Sequence, residues 1–424
     1  MPRASSSAPR IPPASSADRM LVVLSDIEMG PGGPMDDFPS TDVLAEVLLS
    51  YNDGPFTHLP IDVIFNGDTF DLLKTPYEGR FPRHITSEIA LGKMAPVYEA
   101  HRAFFDAVRG LLAHGPAERR VHFILGNHDA ELAFPALQGF VREKCGGDPR
   151  ITFPGFSLDI GKTRVEHGSQ YDPMFRMDPA QLFVEYAGQT ILNISWGAAA
   201  LLDTVIPLRD TLFFHDRVKP REQLFKLMPE IRELLVERFW AYWLRDFWKG
   251  YFSRSDPTQQ ITWAMLKEVV WRFRSENPDV MPTNDVAQRL VTSDDFLLYV
   301  LGHRHQPEWT SYGDRKMLQA GCWRNEYMLL ADGSLRPIAK SYVEAYLRGG
   351  IPVTSHLVEV ECPAAPPGYV PASILDVAPA VRALLASDAN RAKLETDRLH
   401  QESLEASRTA GPLKVGSGGR RESD

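Results

Sequence analysis

The chain has 424 residues, 44% of them hydrophobic, and a formal net charge of −9 from 46 basic and 55 acidic side chains. That is ample apolar material for a core and, by length, for two or three domains. The acidic balance argues against broad nucleic-acid binding, which needs a basic footprint, and three cysteines without C-x-x-C spacing argue against a disulfide framework or thiolate zinc site.

Residues 1–19 are rich in Ser, Ala, Pro and Arg and read as a disordered tail, because they lack the apolar centre of a secretory signal. No run of 18 or more apolar residues offers a transmembrane helix. The expected setting is therefore cytoplasmic, with reduced thiols. The next segments alternate between strand and helix. Leu21–Leu24, Ile61–Phe65, Val121–Leu125, Thr163–Glu166 and Phe296–Leu301 are short apolar runs bounded by Gly and polar turns, the pattern of buried strands. A helix is expected from Ser40 or Thr41 through Leu49, and another from Pro96 to His114. From about Pro173 to Asn284 no strand is evident. Leu182–Leu202 is apolar and Ala-rich, and Glu222–Phe252 places large apolar residues at helical spacing. Further strands are expected at Lys316–Ala320, Met328–Leu330 and Ile351–Val360, with a turn at Asp332-Gly333. Pro363–Pro371 reads as a linker, Val377–Leu385 and Ala389–Glu405 as helices, and Gly411–Asp424 as disordered.

This alternation predicts an α/β fold. It divides into a tail (1–19), a core (20–172 and 285–360), a helical insertion (173–284), and a linker with C-terminal helices and tail (361–424). Composition leaves two readings of the insertion open. One is an ordinary cap with its own small core; the other is a lid whose apolar groove takes acyl chains or meets a membrane surface.

Five motifs each follow one of the apolar runs: Asp26-Ile27-Glu28, Gly67-Asp68-Thr69-Phe70-Asp71, Gly126-Asn127-His128-Asp129, His167-Gly168 and Gly302-His303-Arg304-His305. Ligands commonly gather beyond the carboxyl ends of strands in α/β folds. Carboxylates are hard oxygen donors and imidazoles are nitrogen donors; such mixed sets suit Mn²⁺, Fe, Zn²⁺ and Mg²⁺. Asp68 is the natural bridge between two ions, Asn127 a neutral oxygen ligand, and His303 and His305 alternate so that Arg304 points the other way. Two divalent ions held ~4 Å apart can attack phosphate esters.

These motifs resemble those of the calcineurin-like metallophosphoesterase superfamily: D-x-H, G-D-x-x-D, G-N-H-[DE], a lone His and G-H-x-H. The resemblance spans about residues 20–330. It implies a two-layered β-sandwich flanked by helices, around two divalent metal ions. One ion would be held by Asp26, Glu28, Asp68 and His305, and the other by Asp68, Asn127, His167 and His303. His128 would act on the scissile phosphate or leaving group, oriented by Asp129, with Asp71 in support behind the ligands. Glu28 stands where the superfamily usually has His. Its added negative charge would favour Mn²⁺ or Mg²⁺ over Zn²⁺. Leu72 and Leu125 occupy positions where the protein Ser/Thr phosphatases carry Arg, which rejects that branch. Within the superfamily, Gly67–Leu72, Leu125–Asp129, His167–Asp172, Leu301–His305 with Pro307, and Gly321-Cys322-Trp323 resemble the UDP-2,3-diacylglucosamine pyrophosphatases.

The expected function is metal-dependent hydrolysis of a phosphate ester or pyrophosphate, on a lipid- or nucleotide-linked substrate, through a hydroxide bridging the two ions. Arg80, Arg83, Arg304 and Arg324 are candidates for a second phosphate, and peripheral membrane contact through the insertion is part of the same expectation. Alternatives are a phosphomonoesterase or phosphodiesterase with a soluble substrate, and a non-catalytic binding scaffold.

Overall fold

A computed structural model of the chain describes residues 17–242, 256–259, 296–364, 366–371 and 373–387, with isolated positions in the insertion. Residues 1–16 of the expected N-terminal tail, the expected C-terminal tail, the helix at Ala389–Glu405 and the end of the Glu222–Phe252 segment lie outside the described residues, whereas Arg19, placed in the tail, opens the first strand.

The first half alternates β1 (Arg19–Leu24), α1 (Thr41–Leu49), β2 (Ile61–Asn66), α2 (Ser87–Ala100), α3 (Arg102–Leu112), β3 (Arg119–Ile124), α4 (Pro135–Lys144) and β4 (Ile151–Gly155). Then come β5 (Ser157–Ile160), β6 (Thr163–Glu166), the hairpin β7 (Phe183–Tyr186) and β8 (Gln189–Leu192), and α5 (Trp196–Thr204). The insertion continues through α6 (Arg209–Leu212), β9 (Val218–Lys219), α7 (Arg221–Leu227) and α8 (Pro229–Ala241). The chain closes with β10 (Leu298–Leu301), β11 (Pro307–Tyr312), β12 (Arg315–Ala320), β13 (Tyr327–Leu329), β14 (Leu335–Pro337), β15 (Lys340–Arg348) and β16 (Ile351–Val360).

Two sheets form the sandwich. One runs β16-β15-β1-β2-β3-β4, with β1 to β4 parallel; the other runs β11-β12-β10-β6-β5, with β6, β10 and β12 parallel. Because side chains alternate along a strand, Leu21, Val23, Ile64 and Ile124 face Val165, Leu298, Val300 and Leu318 across the sandwich. Val22, Leu24, Val63, Phe65 and Phe123 face the helices, through Leu44, Phe104, Val108 and Leu137. Both faces of β1 and β2 are buried, which is why their sequences are continuously apolar rather than alternating. The fold is the α/β two-layered sandwich with flanking helices that the resemblance implied.

Several boundaries differ from the sequence reading. The Pro96 helix begins earlier, at Ser87, where Thr86 Oγ1 accepts from Ile89 N (3.3 Å). Pro96 lies inside α2 and does not start it, and the helix breaks at His101, whose ring bonds Thr41 Oγ1 (2.6 Å) and Asp36 (2.8 Å). Ser40 stands at the N-cap of α1 but sends its hydroxyl to Asn325 instead. The 173–284 segment does contain strands: the β7–β8 hairpin turns on Ala187-Gly188, both at positive φ, the geometry of a two-residue hairpin. β9 adds a parallel strand to β13.

The insertion does not pack alone. Leu208, Leu212, Phe214, Leu224, Ile231 and Leu234 share a core with Leu329, Ile374 and Val381. Residues 366–387, expected as linker and helix, thus supply part of the insertion's interior; the helical stretch there covers 378–387.

At the end of the first sheet away from the motifs, Arg119 is fully buried with no carboxylate in ion-pair reach among the described residues. Its guanidinium donates to the carbonyls of Leu59 (2.7 Å), Glu118 (3.1 Å), Tyr51 (2.7 Å) and Phe56 (3.0 Å). Burial pushes its pKa down to about 10. Stranding a buried carbonyl costs about 1–3 kcal/mol, so Arg119→Met should lower unfolding stability by at least ~3 kcal/mol; an unchanged denaturant midpoint would contradict this.

Candidate metal centre

β1, β2 and β3 of one sheet and β6 and β10 of the other deliver their carboxyl ends to the same region, so the five motifs meet there. The turns are unusual. Among the described residues, seven non-glycine positions have positive φ, and five are candidate ligands: Asp26 (53°), Glu28 (55°), Asp68 (50°), His303 (70°) and His305 (60°). Left-handed backbone is costly for such residues and persists where the surroundings impose it, commonly at functional sites. Two glycines make the approach possible. A side chain at Gly126 would collide with the backbone and carboxylate of Asp68, and Gly67, at φ 76°, would meet the His167 ring.

Asp68 is central. His167 Nε2 lies 3.1 Å from its Oδ2 and 3.3 Å from Asn127 Oδ1, while His128 N donates to Asp68 Oδ1 at 2.7 Å. Donor atoms of Asp68, His167 and His303 lie within 4.8 Å of one another. His167 is fixed by its Nδ1, which donates to the Asn66 carbonyl (2.9 Å) and leaves Nε2 for the centre. Asp26 accepts from His303 N (3.0 Å) and sits 3.3 Å from His305 Nε2, with Glu28 at 3.5 Å from the same nitrogen.

The electrostatics agree with a cation-demanding site. Burial disfavours imidazolium at His167, yet the charges of Asp68 and Asp26 outweigh it and raise the pKa to about 9. His128 is likewise opposed by burial and raised to about 10 by Glu28, Asp68 and Asp71. The Asp68 carboxyl feels burial most, but His167 and His128 hold it well below the usual range. Oxygen and nitrogen donors with excess negative charge suit a hard or borderline divalent cation, so Asp68, Asn127, His167 and His303 fit one metal ion.

Three sequence expectations need correction or completion. The carboxylate on the His128 ring is Asp71, not Asp129: His128 Nδ1 lies 2.9 Å from Asp71 Oδ1. Asp129 instead accepts from the backbone of Thr69 (2.7 Å), Gly126 (2.8 Å) and Asp68 (3.3 Å), tying two ligand loops together. An acceptor-only carboxylate satisfies such converging N–H groups better than it could reach a neighbouring ring. Glu28 is ion-paired with Lys74 Nζ (3.0 Å) and Arg324 (3.1 Å), contacts the sequence did not suggest, although both cations are shared with Asp216 and other carboxylates. Of the four arginines considered for a second phosphate, Arg80 is exposed and Arg83 is paired with Asp203. Arg304 and Arg324 line the cavity, but Arg324 is committed to Glu28, Asp216 and Glu326.

Several roles escaped the sequence reading, which noted Asp172 after His167 without pairing it to His303. Asp172 Oδ2 stands 3.2 Å from His303 Nε2, and Glu326 Oε1 stands 3.1 Å from His305 Nδ1. Carboxylates behind ligating histidines fix ring orientation and raise basicity. Lys74 contacts Asp37 (2.5 Å) and Asp216 (3.1 Å), the latter from the insertion. Lys74, three residues after Asp71, and Asp172, at the end of the His167 motif, carried a local cue.

A cavity of about 790 Å³ opens from Asp68, Asn127, His128, His303 and His305. Much of its remaining wall comes from the insertion: apolar Trp196, Leu201, Ile206, Phe213, Phe225 and Leu235, with Arg209, Arg221 and Arg232 among the polar groups. The three cysteines are free, and among the described residues no helix is long and apolar enough to cross a membrane.

No known family pattern matches the chain, nor does any curated protein. Solved structures do resemble it. A dimetal phosphatase from Danio rerio aligns at 11% identity and TM-score 0.30, over 81% of this chain and 100% of that one. A Staphylococcus aureus protein described as a 5'-nucleotidase aligns at 12% and 0.32, over 86% and 58%. Phosphopantetheinyl hydrolase from Mycobacterium tuberculosis aligns at 13% and 0.27, over 76% and 96%. At such low identity and TM-score, the geometry of the site carries the functional reading.

Proposed function

We propose that this chain is a metal-dependent phosphoesterase of the calcineurin-like class, acting on a phosphate ester or pyrophosphate with an apolar moiety. The observation that carries this reading is the meeting of the five strand-end motifs, four of them on one cavity and His167 behind Asp68 at 3.1 Å, with left-handed backbone at five of the candidate ligands. Asp68, Asn127, His167 and His303 would hold one divalent ion, and Asp26, Glu28 and His305, with Asp68 between, a second. Bound there, such ions supply Lewis acidity and a nucleophile at neutral pH.

The chain's own residues do the rest. Asp172 and Glu326 hold the His303 and His305 rings in position. Asp129 keeps the Asp68 and Asn127 loops together. His128, braced by Asp71, lines the cavity as an imidazole able to give a proton to the departing oxygen. General-acid assistance is worth roughly 10²–10⁴-fold. His128→Ala should therefore lower turnover by about that factor while metal content stays at the wild-type level; loss of metal as well would assign His128 a different role.

Several features favour an amphiphilic substrate over a small soluble one. The insertion gives the cavity an apolar wall, and about 790 Å³ exceeds what a bare phosphate ester needs. A lipid-linked pyrophosphate, including a UDP-linked diacyl sugar, suits metal donors at one end, apolar side chains beyond them, and Arg304 beside both. Peripheral membrane contact through the insertion belongs to this proposal. Comparing kcat/KM for such lipids in detergent micelles with kcat/KM for a soluble aryl phosphodiester tests it. A preference of at least tenfold for the lipid is expected; equal or reversed preference would favour the soluble-substrate alternative.

A further inference from the structure

One lysine joins the insertion to the side chain that faces the departing oxygen. Lys74 lies in the loop after β2 and lines the cavity. Its ammonium donates to Glu28 Oε2 (3.0 Å), Asp37 Oδ2 (2.5 Å) and Asp216 Oδ2 (3.1 Å), which uses its three N–H groups. A fourth carboxylate, Asp71, places Oδ2 3.3 Å from the same nitrogen. Asp71 Oδ1 accepts from Lys74 N (3.1 Å) and stands 2.9 Å from His128 Nδ1. Asp71 is buried, and the described partners of its carboxylate are Lys74 and His128. Both of its oxygens are therefore held, and the ring it braces keeps Nε2 for the cavity. The insertion grips Lys74 at both ends. Asp216 takes the ammonium, while Arg209 Nη1 donates to the Lys74 carbonyl (2.9 Å), with its guanidinium 5.0 Å from the Phe81 ring centre. Arg217, also from the insertion, holds Asp37 at 2.6 Å.

We infer that Lys74 is a positioning residue: it acts through Asp71 to aim His128 at the departing oxygen, and the insertion fixes Lys74 through Asp216 and Arg209. A lysine suits this task, because its ammonium is a compact point charge that several carboxylates can share. The element that walls the cavity thus also holds the residue that aligns the proton donor. Docking of the insertion and alignment of His128 are one structural event. A misplacement of about 1 Å in a catalytic group costs on the order of 10²-fold in rate, so the hold on Asp71 matters although Lys74 does not touch the reacting atoms. Two other roles for Lys74 make different predictions. A lysine serving only Glu28 would act through bound metal, and one touching the substrate would act through KM. The inference rests on the phosphoesterase reading above.

The test compares two phosphodiesters hydrolysed by the Mn²⁺-loaded full-length chain, with bound metal counted on each preparation. One releases a nitrophenolate; the other releases unsubstituted phenolate, which needs a proton far more. Lys74→Met should lower kcat for the phenyl ester at least about tenfold more than for the nitrophenyl ester, with each KM within about twofold of wild type. His128→Ala should show the same bias. Adding Lys74→Met to it should cost less than about a further twofold, because both changes act on one proton donor. Lys74→Met leaves four clustered carboxylates without their shared cation, so Asp216→Asn is measured alongside. That change withdraws the insertion's carboxylate, keeps the cation, and should show the same bias at about threefold. If Lys74→Met loses its fold or its metal, Asp216→Asn decides alone. Equal losses on the two esters would overturn the inference. So would a loss carried by KM, loss of metal in Asp216→Asn, or additive losses in the double variant. No turnover of either ester by metal-loaded wild type would defeat the phosphoesterase reading itself, and this inference with it.

Discussion

Asp68→Ala is expected to reduce turnover of any phosphate ester by at least ~10³-fold, the equivalent of about 4 kcal/mol of lost transition-state stabilisation. The carboxylate is buried, contacts His167 and the His128 amide, and is the one acid placed between both sets of donors. The same change should remove bound metal, because it leaves His167, His303 and Asn127 without their anionic partner. The fold should survive: Asp129 still ties the 67–70 and 126–129 turns through backbone N–H groups that do not depend on the Asp68 side chain. Metal content and steady-state rates on the same preparation check both parts. A variant that keeps its metal and more than a tenth of its activity would remove Asp68 from the centre of the account.

The second large effect is on stability, at Arg217. This arginine is fully buried where three segments meet. Its Nε donates to Asp37 Oδ1 at 2.6 Å, Nη2 to the Asp36 carbonyl at 3.0 Å and Nη1 to the Tyr369 carbonyl at 2.9 Å, and the guanidinium lies 4.2 Å from the Tyr369 ring centre. It therefore joins the loop after β1, the insertion and the C-terminal segment. Removing one member of a buried ion pair typically costs about 3–5 kcal/mol, since the partner charge stays buried. Arg217→Met should destabilise the chain by that amount, about 3–5 kcal/mol in denaturant unfolding. It should also loosen Asp37, and through it Lys74 and Glu28. A stability change under about 1 kcal/mol would show that the buried pair is not what joins these segments.

Local pattern explains what the sequence revealed. Strands β1, β2, β3, β6 and β10 are apolar runs ending in ligand residues, and both faces of the parallel strands are buried, so their signal is unbroken. β15 was missed because Lys340 and Glu344 interrupt it. Their charges are answered from elsewhere: Lys340 by Asn325 (2.5 Å) and Glu344 by Tyr51 (2.5 Å), Tyr346 and His356. The β7–β8 hairpin was missed because Ala187 takes a positive φ usually left to glycine or asparagine. The candidate ligands were legible because each follows a strand in a compact motif. The residues behind them were not. Glu326 and Asp172 reach the histidines through folding, with 21 residues separating His305 from Glu326 and 131 separating His303 from Asp172. The Asp71–His128 contact likewise crosses from one sheet strand's loop to another's, while the adjacent Asp129 looked the nearer partner.

The most direct test of the central claim is hydrolysis of a simple aryl phosphodiester by the metal-stripped full-length chain, before and after Mn²⁺ is returned. The account predicts no turnover in the stripped protein and restoration on adding the ion, in step with metal bound. Hydrolysis that persists undiminished without metal, or a chain that binds Mn²⁺ at these donors yet cleaves neither this ester nor a lipid pyrophosphate, would contradict it.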